Sequence, residues 1–348
     1  MNKKQKSLVL LGPYIALLLF NAFIIFIPDS MLFYLDEIRP PYGNGDLNVH
    51  TQKQMLHLHA LERKRDVKNR IVFVGSSSVV NGIDTKIIQK KFSENEFHFY
   101  PMNYGLTAFR ALELPFLKKQ FLADEIDIIV YLYNTFSFGS ILDLDKVNTR
   151  WDSSEYKIIS GQQADKYLIF KMRSKAIFPI GSFGDLIINY IKRLFLMDLK
   201  SIEHEYDYSD VEERDYTMKP RVKMEPMPDN NWLRKSYVES DTDETTLGYR
   251  GLERFLSLAK LKGKTVVVAP IPEPAFSSFG RYRQDIDVDR IDRHAQRIVE
   301  KNGAIFFSRD KFKYIENDDS NFIDDVHLNN FGRQEFSEKL SNLLLSII

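Results

Sequence analysis

Short apolar runs alternate with amphipathic segments along most of the chain. Runs bounded by glycine, polar or charged residues are typical of buried parallel strands. The predicted strands are 70–75, 97–102, 126–133, 265–269 and 304–307. Apolar residues at helical spacing predict helices between them. The predicted helices are 84–92, 108–121, 246–261, 287–300 and 330–348. This alternation predicts an α/β fold with a parallel sheet and helices on both faces.

The segment 8–27 is apolar and is interrupted only by Gly12, Pro13 and Asn21. Twenty residues in a helix are about 30 Å long, which is enough to cross the hydrocarbon core of a bilayer. The segment has no polar face, which argues against a buried core helix. We therefore predict a transmembrane signal anchor over 8–27, with the membrane lipid bilayer as a partner.

The charges around this segment set its orientation. Lysines precede it and mostly acidic residues follow it, so the positive-inside rule places the tail 1–6 in the cytoplasm and the rest outside. The flanking charges are Lys3, Lys4 and Lys6 before the segment, and Asp29, Asp36 and Glu37 after it, with Arg39 as the one early positive charge on that side. A cleaved signal peptide is the alternative, but the exit Phe26–Ser30 is a poor cleavage site.

A second apolar stretch, 176–197, contains Asp185, Lys192 and Arg193. These charges would be costly at the bilayer centre, so an amphipathic helix on the protein or membrane surface is predicted instead of a second span. Residues 28–69 are interpreted as a polar connector to a domain over 70–348.

The region 135–244 interrupts the alternation of strands and helices. An acidic stretch, a basic cluster and prolines fill its second half. It is either a solvated insertion or a lid or partner-docking element over the site.

Composition excludes several classes of function. Lys+Arg and Asp+Glu are each 48, so the net charge is zero and gives no global reason to bind nucleic acid. The chain has no cysteine, which excludes disulfides, thiolate metal sites and a cysteine nucleophile. No Gly-rich nucleotide-binding motif follows a strand. The pair His57 and His59 lacks a third ligand, so neither a cofactor nor a metal is predicted.

Candidate catalytic residues lie where strands end. Ser77 belongs to the turn Gly75–Ser78 after the first strand, where a nucleophile can be exposed at the carboxyl edge of the sheet. Helix capping is the alternative role for such serines.

Near the end of the chain, Asp324 precedes His327 by three residues. The carboxylate can accept from one ring nitrogen and leave the other free to take a serine proton. A surface ion pair or half of a metal site is the alternative interpretation.

Two further segments can supply oxyanion donors at the same edge. A backbone N–H within Gly105–Ala108 and the side-chain amide of Asn134 follow the second and third strands. A turn glycine and a capping asparagine are the structural alternatives.

These segments together resemble the SGNH (GDSL-type) hydrolase and acyltransferase superfamily, whose four blocks centre on Ser, Gly, Asn and His. The resemblance covers about 70–134 and 240 to the end. It implies a flavodoxin-like three-layer α/β/α sandwich, with Ser77, Asp324 and His327 as the catalytic triad. It also implies an oxyanion hole at Ser77, Ala108 (with Gly105 as the alternative) and Asn134.

The expected function is that of a membrane-anchored, extracytoplasmic serine ester hydrolase or O-acyltransferase. Both activities stay open because the same acyl-enzyme gives hydrolysis when it reacts with water and acyl transfer when it reacts with a sugar hydroxyl. Its context resembles proteins that modify cell-envelope polysaccharides, some beside a multi-span membrane acyltransferase. A lipid esterase is a further possibility. The alternative from another class is a non-catalytic envelope assembly protein, favoured by Ala108 at the glycine position and by the altered third block.

Overall fold

Five parallel strands form the sheet of this computed structural model. They are β1 (Arg70–Gly75), β2 (Tyr100–Gly105), β3 (Ile126–Tyr133), β4 (Thr265–Pro270) and β5 (Ile305–Phe306). Their order is β2-β1-β3-β4-β5, and every neighbouring pair is parallel. The order 2-1-3-4-5 is one of the common orders of doubly wound parallel sheets. The predicted α/β fold with a parallel sheet is confirmed, and the topology is compatible with a three-layer sandwich.

The structure describes residues 15, 18–19, 69–105, 109–140, 153–161, 166, 232–274, 286–323 and 326–348. Its α-helices within the domain are α1 (Ser77–Gly82), α2 (Thr85–Glu94), α3 (Lys118–Phe121), α4 (Ser153–Ser160), α5 (Trp232–Thr242), α6 (Leu247–Leu261), α7 (Val288–Lys301), α8 (Lys313–Glu316) and α9 (Asn330–Leu345). Its 3-10 helices are Ala111–Leu117, Arg309–Lys311 and Asp319–Asn321.

The chain divides into two compact units. One consists of Met1–Arg63, Asp143–Ser153 and Gln163–Glu205, and the other of Lys64–Leu142, Ser154–Gln162 and Tyr206–Ile348. The sheet belongs to the second unit. Of the first unit the structure describes five helical residues, which are Ile15, Leu18, Leu19, Ser153 and Lys166.

The two faces of the sheet bury different sets of side chains. On one face Phe73, Val130 and Val267 pack with apolar residues of α1, α2 and α9. On the other face the rings of Tyr133 and Phe138 lie 4.9 Å apart, and Phe138 stacks on a tyrosine of α6. Alternate residues of each strand therefore enter opposite cores, as a sheet covered on both faces requires.

Helix starts follow the capping residues in the sequence. The side chains of Asp84, Thr246, Asp287 and Asn329 accept from backbone N–H groups in the first turns of α2, α6, α7 and α9. An N-cap of this kind satisfies donors that have no partner within the helix. The predicted starts of these four helices are accordingly correct to within one residue.

Two predicted elements differ from the structure. Strand β2 begins at Tyr100 instead of residue 97, because Glu96 adopts a positive φ of 64° after α2 and Phe97 N–H returns to Phe92. The helix predicted over 108–121 is largely the 3-10 helix Ala111–Leu117. Pro115 lies inside it and does not fit an α-helix interior.

Several predictions fall outside the described residues. They concern the tail 1–6, nearly all of the anchor 8–27 and the connector 28–69, the amphipathic stretch 176–197 and most of the insertion 135–244. Among the helices that the structure describes, none combines the length and apolar character needed to cross a membrane. Two helices, α4 and α5, lie within the insertion and were not predicted.

Candidate active site

The serine turn joins β1 to α1 at the carboxyl edge of the sheet. Ser76 has extended backbone angles and is the N-cap of α1, its Oγ accepting from Ser78 N–H at 3.2 Å. Ser77 is therefore the first residue of the helix, and its side chain is half-buried. The capping role considered for these serines belongs to Ser76, which leaves the Ser77 hydroxyl for another partner.

A glycine is needed at position 75 because the neighbouring strand and helix approach its backbone closely. A Cβ at this position would lie 2.3 Å from the Leu132 carbonyl oxygen and 2.4 Å from a methyl group of Val79. The glycine of the motif therefore serves packing between β1, β3 and α1.

We expect Gly75→Ala to lower the free energy of unfolding by about 1–3 kcal/mol, since the backbone of β3 cannot move away cheaply. Denaturant unfolding measures this loss. Gly161→Ala is the comparison, because Gly161 has open space around it but a φ of +56°, so only backbone strain of about 1 kcal/mol is expected there. Equal stability of Gly75→Ala and wild type would contradict the close approach.

His327 lies on a tightly held loop before α9. Its carbonyl oxygen accepts from Ile323 N–H at 2.9 Å, and Asn329 N–H donates to Asn321 at 2.9 Å. The Asn329 side chain then caps α9. These backbone bonds fix the histidine independently of its ring.

The structure brings Ser77 and His327 together, although they are 250 residues apart in sequence. The distance between Ser77 Oγ and His327 Nε2 is 2.8 Å. With its proton on Nδ1, the imidazole accepts from the serine hydroxyl, which is the arrangement of a nucleophile and its general base. Asp324, the predicted third member of the triad, lies outside the described residues.

Asn134 follows β3 and is fully buried behind the serine turn. Its Oδ1 accepts from Ser76 Oγ at 2.5 Å, and its Nδ2 donates to Ser78 Oγ at 3.1 Å and to Glu273 Oε1 at 3.2 Å. The predicted oxyanion donor thus contacts both neighbours of Ser77, and both of its amide hydrogens have acceptors within the protein.

The structure describes only part of the segment Gly105–Ala108, the other predicted source of an oxyanion donor. Ala108 lies outside the described residues, and Gly105 is the last residue of β2. The Gly105 N–H donates to Asn103 Oδ1 at 3.0 Å, so this amide is engaged within the chain.

Asn103, which is not among the predicted site residues, positions the helix that begins at Ser77. Its Nδ2 donates to the carbonyl oxygens of Val79, at 3.0 Å, and Ile83, at 3.2 Å, at the end of α1. It therefore ties the helix of Ser77 to β2. The strand was predicted to end at residue 102, which placed Asn103 in a loop, so its contacts with α1 were not predicted.

A buried charged network lies behind Asn134. Arg309 pairs with Asp292 at 2.8 Å and with Glu316 at 2.6 Å, and Tyr133 Oη donates to Asp292 at 2.7 Å. Burial, together with Asp292, raises the pKa of Tyr133 well above its ordinary value, so the phenol stays a donor. Burial lowers the pKa of Arg309, but Asp292 and Glu316 outweigh it and raise that pKa well above its ordinary value.

Glu273 joins this network to the site and was also missed. Its backbone N–H donates to Glu316 Oε1 at 3.2 Å, while its carboxylate accepts from Asn134 and Thr135. The available signal was a charged residue three positions after a buried strand, at the edge where the other candidates lie.

A scan against protein-family models, a search of curated proteins and a search of solved structures each gave no match to this chain. The likeness to SGNH enzymes therefore depends on the four sequence blocks. The geometry of Ser77 and His327 is an independent observation. Within the described residues, no group of three acidic or histidine side chains could hold a metal ion.

Proposed function

We propose that this protein is a serine ester hydrolase or O-acyltransferase of the SGNH type. The observation that carries the proposal is the 2.8 Å distance between Ser77 Oγ and His327 Nε2. A hydroxyl at this distance from a neutral imidazole can lose its proton as it attacks a carbonyl.

The reaction follows from these roles. His327 accepts the Ser77 proton while Oγ bonds to the ester carbonyl carbon, and Asp324 orients the resulting imidazolium. Backbone N–H groups of Ser77 and Ala108 stabilise the oxyanion. The Asn134 amide, whose hydrogens bond to Ser78 and Glu273, holds the turn that presents Ser77. The C–O bond then breaks, the leaving alcohol takes the proton from His327, and water or a hydroxyl acceptor resolves the acyl-serine by the reverse steps.

The proposed substrate is an acyl ester of the cell envelope, with a glycan as the preferred carrier. The support is the apolar segment 8–27 with lysines before it and acidic residues after it, which favours an extracytoplasmic domain held at the bilayer. Tethering raises the local concentration of envelope polysaccharide and of a multi-span membrane acyltransferase that could supply acyl groups.

A fluorophosphonate probe tests the proposal on the full chain in mild detergent. We expect one covalent adduct, which tandem mass spectrometry assigns to Ser77, and its formation should slow when an acetyl ester competes. Product release that accelerates on adding a sugar acceptor would favour transfer over hydrolysis. Folded protein that carries no adduct at Ser77 would contradict the proposal.

The second candidate is a non-catalytic envelope assembly protein with the same fold. It is favoured by the burial of Asn134, whose amide hydrogens both bond to protein groups, and by the engaged N–H of Gly105. Folded protein without probe labelling, together with co-purification of a membrane acyltransferase, would support this candidate.

A further inference from the structure

Glu273 is a buried acidic residue three positions after the end of β4, with 2% of its surface exposed. Its Oε1 accepts from Asn134 Nδ2 at 3.2 Å. Its Oε2 accepts from Thr135 N–H at 3.2 Å and from Thr135 Oγ1 at 2.9 Å. One carboxylate thus binds two consecutive residues that follow β3.

The chemistry of these partners fixes the direction of the Asn134 side chain. The Glu273 carboxylate accepts all three of these hydrogen bonds, so the Asn134 amide turns its NH₂ group toward Glu273. Oδ1 then faces Ser76, whose hydroxyl donates to it at 2.5 Å. The opposite orientation of the amide would place two acceptors, Oδ1 and the Glu273 carboxylate, against each other.

Asn134 transmits this orientation to the serine turn. The Ser76 hydroxyl accepts from Ser78 N–H and donates to Asn134 Oδ1, while Ser78 Oγ accepts from Asn134 Nδ2. The residues on either side of Ser77 are therefore both held by one amide, whose direction Glu273 decides.

We propose that Glu273 is a positioning residue that fixes the Asn134 amide and, through it, the turn that presents Ser77. The kinetic consequence of this inference rests on the proposed function, whereas the orientation of the amide does not. The backbone of Glu273 is itself held, because its N–H donates to Glu316, which pairs with Arg309.

Glu273→Gln is the test, because it keeps the shape and replaces one acceptor by a donor. The Thr135 N–H cannot turn away, so the carbonyl oxygen of the new side chain should stay with it, and the new NH₂ group should face Asn134. Asn134 must then turn its amide over or lose the contact. We expect the rate constant for probe labelling of Ser77 to fall at least tenfold, since a displacement of about 1 Å can cost a hundredfold.

Glu155→Gln is the matched control. Glu155 is also 2% exposed and pairs with Lys118 and Arg254, which the site does not use. The Glu155→Gln substitution should lower the midpoint of thermal unfolding but leave the rate constant for labelling of Ser77 in the folded protein unchanged. Glu273→Gln protein that labels within twofold of the wild-type rate, below its unfolding midpoint, would overturn the kinetic part of the inference.

Hydrogen exchange of the Asn134 side-chain NH₂ group tests the orientation of the amide independently of enzymatic activity. Its NMR signal is identified by its disappearance in Asn134→Asp. We expect exchange at least tenfold faster in Glu273→Gln than in wild type, and an unchanged rate in Glu155→Gln. Unchanged exchange in Glu273→Gln would refute the inference. Faster exchange in a protein whose wild type does not label would uphold the positioning of the amide and reject the proposed function alone.

Discussion

Replacing His327 with alanine should lower the rate of fluorophosphonate labelling of Ser77 by more than about a thousandfold, with the fold retained. The serine hydroxyl is a weak nucleophile at its own pKa and depends on an adjacent base. In serine proteases, loss of the histidine alone costs nearly as much as loss of the whole triad. The 2.8 Å contact with Ser77 places His327 where the base of the proposed mechanism must lie.

The substitution should leave stability nearly unchanged, because the loop is held by backbone bonds such as that from Ile323 N–H to the His327 carbonyl. His98→Ala is the matched control, since His98 is exposed and precedes β2 at the opposite edge of the sheet. Labelling and denaturant unfolding are measured on both variants. Labelling of His327→Ala at the wild-type rate would remove the histidine from the mechanism.

The fold was predictable because the strands are buried on both faces. The predicted bounds of β1 and β3 match the structure, since each strand contains an uninterrupted apolar run, Ile71–Val74 in β1 and Ile128–Tyr133 in β3, that is buried on both faces. The predicted start of strand β2 is three residues early. Phe97 and Phe99 lie in the connection before β2 and pack against the core. An apolar pattern alone does not distinguish a buried connection from a buried strand.

Of the candidate site, the approach of Ser77 to His327 followed from where strands end and from a short motif before the last helix. The buried carboxylate of Glu273 did not. A charged residue after a strand is usually solvated, and only the tertiary structure reveals that Asn134 and Thr135 supply the donors that allow its burial. Networks between side chains more than a hundred residues apart leave no periodic signal in a sequence.

Arg309→Met should lower the free energy of unfolding by about 3–5 kcal/mol, because breaking a buried ion pair leaves uncompensated charge. The guanidinium side chain is 11% exposed and lies between Asp292 and Glu316, which are themselves 13% and 7% exposed. Methionine fills a similar volume, so most of the loss is electrostatic. The shift of the urea midpoint at constant slope measures it.

Arg293→Met is the control for this prediction. Arg293 is 61% exposed and lies 3.4 Å from Asp287, so its loss should cost at most about 1 kcal/mol. The double variant Arg309→Met with Glu316→Gln should be more stable than Arg309→Met alone, since it removes one of the carboxylates left facing the apolar side chain. If Arg309→Met costs no more than Arg293→Met, the ion pairs of Arg309 with Asp292 and Glu316 do not stabilise the fold, and the prediction is wrong.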